Sequence, residues 1–333
     1  MRQSRPFPFL FGLILAVFLP HAAWAQSGSA YETFVSRTGT DAGSCISTTT
    51  PCASINYALT QTTPGGQINV IDAGDYGPFV IAHSVSIVAD GAGSASPCCG
   101  GAGGFSIGGG GPTGNALIII NAGPSDSVTL RGLTIHGPTV LTSVIGIAVI
   151  SGGRVSIEKT KVVDTTGLGI AVYAASGGMT AIIDETSVTG SPGGLKIAAP
   201  GGSVNASISR SAFSANTGGG IRIDGTNGGT ITASISDTVS SGNTGNGMVA
   251  ISGPGNVAVN ITRSVFASNS SSGVQSNSTS GGTSAVTLRA STVTNNAAGQ
   301  VNFFGGGATL RTFGDNNIVG TSGTGFTGPV ALQ

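Results

Sequence analysis

A unit of about 26 residues recurs through most of this 333-residue chain, and no other feature limits its fold as strongly. Gly followed by alternating residues occurs at Gly146-Ile147-Ala148-Val149, Gly169-Ile170-Ala171-Val172, Gly194-Leu195-Lys196-Ile197 and Gly220-Ile221-Arg222-Ile223, and more weakly from Gly247, Gly273 and Gly299. The successive spacings are 23, 25, 26, 27, 26 and 26 residues. An aliphatic column keeps the same beat (Leu130, Ile157, Ile183, Ile208, Ile235, Ile261, Leu288). So do a hydroxyl column (Thr160, Thr186, Ser211, Thr238, Ser264, Ser291) and an amide column (Asn216, Asn243, Asn269, Asn296). Low-complexity sequence does not hold four registers in phase.

Inside each unit the period is two. Val155-Ser156-Ile157, Thr160-Lys161-Val162 and Gly169 to Val172 read as three short strands separated by turns. Three strands and three turns make one coil of a solenoid, whose coils stack about 4.8 Å apart through parallel pairing. The expected fold is therefore all-β, a single-stranded parallel β-helix with about 26 residues and three short strands per coil. Hexapeptide coils of about 18 residues, GGxGxD nonapeptides and propeller blades of about 40 residues do not fit this spacing.

Composition excludes other classes. The chain holds 57 Gly, 8% charged residues, and 13 basic groups against 13 acidic ones. A nucleic-acid partner would need a basic surface. A charged disordered chain would need low hydrophobicity, whereas 39% of this one is hydrophobic. Collagen would need Gly at every third position. A helical bundle is at odds with only three lysines, Lys159, Lys161 and Lys196.

Residues 1–25 have the layout of a secretory signal peptide: Arg2 and Arg5, an apolar run from Phe7 to Leu19, and Ala23-Trp24-Ala25 before Gln26. The run is too short to cross a bilayer, which takes roughly 20 residues. Its removal would leave 333 − 25 = 308 residues with 11 basic and 13 acidic groups, and no transmembrane segment. An exported protein, periplasmic, cell-surface or extracellular, is expected. In that oxidising setting Cys45 and Cys52 are expected to form a disulfide. Adjacent Cys98 and Cys99 could bridge each other or pair elsewhere. No metal or cofactor site is expected.

The expected organisation is an N-terminal segment and capping helix at 26–67, the β-helix at 68–320 with its clearest repeats at 127–308, and a tail at 321–333. Ser54 is placed to cap a short helix that buries Ile55, Ala58 and Leu59 over the first coil. The asparagines are expected to satisfy turns and to bond one another along the axis. The pairs Gly177-Gly178, Gly201-Gly202, Gly228-Gly229 and Gly281-Gly282 are expected to supply turns with φ > 0. Lys159, Glu185, Arg210, Asp237 and Arg263 alternate in sign over five coils, as stacked strands would favour.

The VxI, hydroxyl, Asn-turn and GIxI pattern resembles the right-handed parallel β-helix repeat of the pectin-lyase-like superfamily. The head of the chain, Phe34-Val35-Ser36 with Gly39, Asp41, Cys45, Pro51-Cys52 and Asp72-Ala73-Gly74-Asp75-Tyr76-Gly77, resembles secreted bacterial β-helix proteins of mostly unassigned function. The resemblance covers nearly all of residues 31 to 320 and implies a right-handed helix. It also implies a search for polysaccharide chemistry. Polygalacturonases resemble one another in NTD, DD, GHG and RIK motifs; here there is no DD pair, and His136 lies in Ile135-His136-Gly137 without the leading Gly. Pectate lyases share an acidic Ca²⁺ cluster and pectin esterases two Asp and an Arg, and neither set can be placed in the repeats.

One outward patch remains. Lys196 and Arg222 share a column on adjacent coils, with Asp224 two residues on. Two cations about 4.8 Å apart can mark an anion site such as a uronate carboxylate. Glycoside hydrolysis would need two carboxyl groups roughly 5–10 Å apart, and Asp224 has no acidic partner in its column. The expectation is an exported, non-catalytic β-helix of unassigned specific role, a surface scaffold or one that contacts extracellular or cell-surface polysaccharide. The alternative is a lyase or hydrolase acting on acidic polysaccharide such as pectate.

Overall fold

The structure, a computed structural model, describes residues 30–92, 95–96, 105–106, 115–138 and 141–330. The expected signal peptide and the Cys98, Cys99 pair lie outside them. The chain winds into a right-handed parallel β-solenoid with three strands per coil. Sheet 1 runs through twelve strands, from Ala30–Val35 to Gly328–Pro329. Sheet 2 has eight, from Thr134–His136 to Asn317–Val319. Sheet 3 stacks from Phe79–Ile81 to Val301–Phe304, with Phe105–Ser106 lying antiparallel beside Asn115–Asn121.

The pairing superposes like on like. Leu130, Ile157, Ile183, Ile208, Ile235, Ile261 and Leu288 follow one another in register along sheet 1, all buried. Ile118, Ile147, Ile170, Leu195, Ile221, Met248, Val274 and Val301 do the same in sheet 3. Phe213 and Phe266 fill the core from sheet 2 and are fully buried. Each such side chain contributes about 1.5–3 kcal/mol by leaving water.

The polar columns turn inward too. The six-member hydroxyl column is buried. Each hydroxyl donates to the carbonyl two residues before it, as Thr186 does to Asp184 at 3.0 Å and Ser264 to Thr262 at 2.8 Å. The N–H groups of Thr160, Thr186, Thr238 and Ser264 each donate to the hydroxyl one coil on, at 3.1 to 3.5 Å. The asparagines form a continuous ladder: Asn216 donates to Asn243, Asn243 to Asn269 and Asn269 to Asn296, at 2.9 to 3.0 Å. Gln300 closes it by accepting from Asn296 at 2.8 Å.

The charge column stands in register but not on strands. Lys159, Glu185, Arg210, Asp237 and Arg263 are corner residues with φ between 46° and 51°, in the left-handed region, where the chain bends from sheet 1 to sheet 2. Stacking continues through these corners, since the N–H of Glu185 donates to Ser209 and that of Arg210 to Ser236. Arg210 pairs with Glu185 at 3.3 Å and also with Asp184; Arg263 pairs with Asp237 at 2.7 Å. These exposed pairs contribute about 0–1 kcal/mol each.

Glycines serve two ends. Gly228 and Gly229 take φ of 95° and 73°, as expected of turns. Gly202 does not have positive φ; a Cβ there would lie 2.6 Å from the carbonyl oxygen of Gly177, so close approach between coils selects it. The Gly of GIxI is selected in the same way: a Cβ on Gly247 would sit 2.6 Å from the Gly273 carbonyl oxygen.

The N-terminal end is covered by helix Ile55–Gln61, whose N-cap Ser54 accepts from the Tyr57 N–H and which buries Ile55, Ala58 and Leu59. Asp41 braces its start, accepting from the N–H groups of Ala53 and Ser54 at 2.8 and 2.9 Å. Cys45 and Cys52 are disulfide-bonded, with Cα atoms 5.3 Å apart. Their loop lies along the first strand, where Phe34 N donates to Cys45 O and Cys52 N to Phe34 O. At the other end, residues 321–330 bond to the last coil, with Val301 N donating to Ser322 O, and Phe326 packs against the core.

Two losses of stability follow. Asn243→Ala leaves at least three buried groups short of a partner, so it should cost about 3 kcal/mol or more in urea unfolding, at roughly 1–3 kcal/mol per group. Asn205→Ala, on the exposed face of sheet 1, should change little. Replacing both Cys45 and Cys52 by Ser should cost about 2–3 kcal/mol for so short a loop in the chain-entropy model.

Candidate functional site

The outer face of sheet 3 carries the candidate residues because alternation puts every second side chain outside. One outward column reads Val80, Ile119, Ala148, Ala171, Lys196, Arg222, Val249, Gln275 and Asn302. Beside it run Tyr173, Ala198, Asp224, Ile251 and Asn277. The face changes character along the axis. Ala116, Ile119, Ile145, Ala148 and Ala171 form an apolar cluster separate from the main core, with Ile150, Leu168 and Tyr173 packed against it. The charged trio follows, and amides follow that.

Lys196, Arg222 and Asp224 do converge. Strand Gly193–Ala198 pairs with Ile221–Gly225 so that Lys196 faces Arg222 and Ala198 faces Asp224. Asp224 Oδ2 accepts from Arg222 Nε at 2.9 Å and meets Lys196 Nζ at 3.2 Å. Its Oδ1 accepts from the Thr226 hydroxyl at 2.5 Å and the Thr226 N–H at 3.1 Å. Asp224 is 5% exposed, whereas the side chains of Arg222 and Lys196 are 44% and 25% exposed. Lys196 Nζ also stands 5.5 Å from the centre of the Tyr173 ring, within cation–π reach.

Two shallow recesses meet at Lys196. One of about 230 Å³ is lined by Leu168, Pro192, Lys196, Arg222, Asn246 and Val249. The other, about 340 Å³, is lined by Ser143, Ile145, Thr166, Leu168, Tyr173 and Lys196 among others. Together they form a groove with an apolar and aromatic half and a cationic half. Tyr173, Leu168 and Thr226 are the components that the charge pattern alone misses. The first two were visible in register, since Tyr173 precedes Ala198 by one coil; Thr226 lies beyond the strand, where no period applies.

The electrostatics limit the chemistry. Burial alone would raise the Asp224 pKa, but the Thr226 bonds and the Arg222 guanidinium outweigh it and hold the carboxyl down at about 2. A carboxylate so stabilised and fully engaged is neither a proton donor nor a free base near neutrality. No second carboxyl lies on the described strands of sheet 3. The Arg222 bond to Asp224 uses Nε, which leaves the terminal amino groups of the guanidinium fork for a ligand. Among the described residues no group of three His, Cys, Asp or Glu is placed to hold a metal.

The other acidic motif is built into a turn. The Tyr76 hydroxyl donates to Asp72 Oδ1, and Asp72 also accepts from Arg37 N–H at 3.0 Å and Ser36 Oγ at 2.9 Å. Asp75 accepts from Gly77 N–H at 3.1 Å. Burial, with help from Asp72, pushes the Tyr76 phenol up.

Asp224 lies below the ordinary carboxyl value of 3.8, so its ionised form stabilises the fold above about pH 4. That contribution should be lost as pH falls from about 4 towards 2. The thermal midpoint of the wild type should exceed that of Asp224→Asn at pH 5 to 7, and the two should approach each other by pH 2.

Solved structures similar to the chain include the pectate lyase Pel9A, at 15% identity and a TM-score of 0.47, covering 92% of this chain and 80% of that one. The A-module of the mannuronan C-5 epimerase AlgE4 from Azotobacter vinelandii gives 14% identity and 0.37, covering 81% and 88%. The GH136 lacto-N-biosidase from Eubacterium ramulus gives 11% and 0.41, covering 91% and 67%. No curated protein matches the chain. Residues 146–322 match the family described as right handed beta helix region, and because this is more than half of the 333 residues, the chain belongs to that family.

Proposed function

We propose that this is an exported, non-catalytic β-helix protein that contacts an acidic polysaccharide along the outer face of sheet 3. The observation that carries the reading is Asp224, an ionised carboxylate with four donors at hydrogen-bonding distance, set between two cations in an open groove. Lys196 and Arg222 against one Asp leave a net positive charge, which suits a carboxylate. Tyr173 and Leu168 offer an apolar wall for the C–H face of a sugar ring. Export is supported by the leader-like sequence and agrees with the Cys45–Cys52 disulfide.

Binding to pectate and alginate fragments should be weakened by Arg222→Ala and by Lys196→Ala, each about three- to tenfold, and should fall with added salt. Incubation of the mature chain with the same polymers, with and without Ca²⁺, should release neither unsaturated nor reducing ends. Release of such ends, abolished by Arg222→Ala, would establish a lyase or hydrolase instead. Silence across a glycan array would leave a purely structural role.

A further inference from the structure

His83 lies in the three-residue turn, 82–84, that joins Phe79–Ile81 of sheet 3 to Val85–Val88 of sheet 1. It is 8% exposed, and among the described residues neither ring nitrogen has a hydrogen-bond partner. The corresponding place one coil on, two residues after the paired Ile120, is held by buried Ala122. A neutral imidazole without partners already costs stability, at about 1–3 kcal/mol for each polar group left unmade. A buried imidazolium would cost more.

The surroundings offer that charge little relief. Among the described residues, Asp126, in the turn of the following coil, is the ionisable group whose field reaches the ring. Its oxygens are held by Ser84 Oγ at 2.6 Å and Gly123 N–H at 2.6 Å. Strand Thr62–Val70 on the other side has no ionisable side chain. Helix Ile55–Gln61 has only Tyr57, whose hydroxyl donates to Gly43 O. On Ser127–Arg131 the one charged residue, Arg131, is paired with Asp90 and Glu158. The strands flanking the turn carry none. Burial therefore lowers the His83 pKa below its usual 6.5, and Asp126 only partly opposes this.

The same turn ties the first coils together. Gly65 N–H donates to Ser84 O at 2.7 Å, and Ser127 N–H to Ser84 Oγ at 3.1 Å. We propose that His83 is an acid-sensitive latch: protonation of its ring opens the 82–84 corner and loosens the N-terminal cap, while the later coils stay wound. The open form binds the proton more readily than the closed one. Closure is therefore complete above about pH 6.5 and weakens as pH falls below it. The latch does not depend on the groove or its ligand.

Hydrogen exchange of the full mature chain at pH 7.5 and 5.0, corrected for intrinsic rates, tests this. Residues 55–70, 79–88 and 122–131 should open roughly tenfold more at pH 5.0, while 200–300 keep their protection. His83→Gln and His83→Ala should abolish the pH difference. Should both variants misfold, an NMR titration of the wild type decides: the His83 ring should titrate below the ordinary histidine value of 6.5. Titration at or above 6.5, an unchanged exchange pattern, a loss spread evenly over all coils, or a loss that survives in His83→Gln would each overturn the proposal.

Discussion

Coil-on-coil parallel pairing with no offset is the constraint on which the rest of the molecule depends. Once one residue of a coil faces inward, its equivalents in every coil do so, and they lie about 4.8 Å apart. A side chain then has its own kind as its nearest neighbour. Isoleucine on isoleucine makes a core, and Asn on Asn makes a ladder because the amide both donates and accepts. A single charge sign repeated in a column would repel itself, which is why the corner column from Lys159 to Arg263 alternates.

The same stacking shapes the groove. Pairing forces Lys196 beside Arg222, two like charges that neither strand can move apart. Asp224 resolves the conflict by meeting both with one oxygen, and Thr226 holds the other. The arrangement is stable because it is saturated, with each oxygen of the carboxylate engaged.

Periodicity made most of this legible beforehand. The aliphatic, hydroxyl and asparagine columns were readable from residue numbers alone, and so were Cys45 with Cys52 and the helix after Ser54. Ala30–Val35 carries no repeat signal, because the first strand of a stack has no earlier repeat to be compared with. The charge column was in the right register but on the wrong element; a spacing of 26 residues says which residues stack, not whether they stack on a strand or at a left-handed corner. The pattern points to turn formers at Gly201 and Gly202, whereas close backbone approach selects them. At the groove, the trio was visible, but its saturation by Thr226 depends on a turn that no repeat predicts.

The asparagine ladder has ends as well as rungs. Ser191 precedes it, donating its N–H to Asn216, and Gln300 terminates it with a longer amide. Between those adaptors the coils are translationally equivalent, so a whole coil could be duplicated or excised there and the amide chain would close again across the joint. Outside them other side chains take the place of the amides. Such a molecule can change its length in steps of one coil during evolution, keeping both lids and altering only the reach of its outer faces.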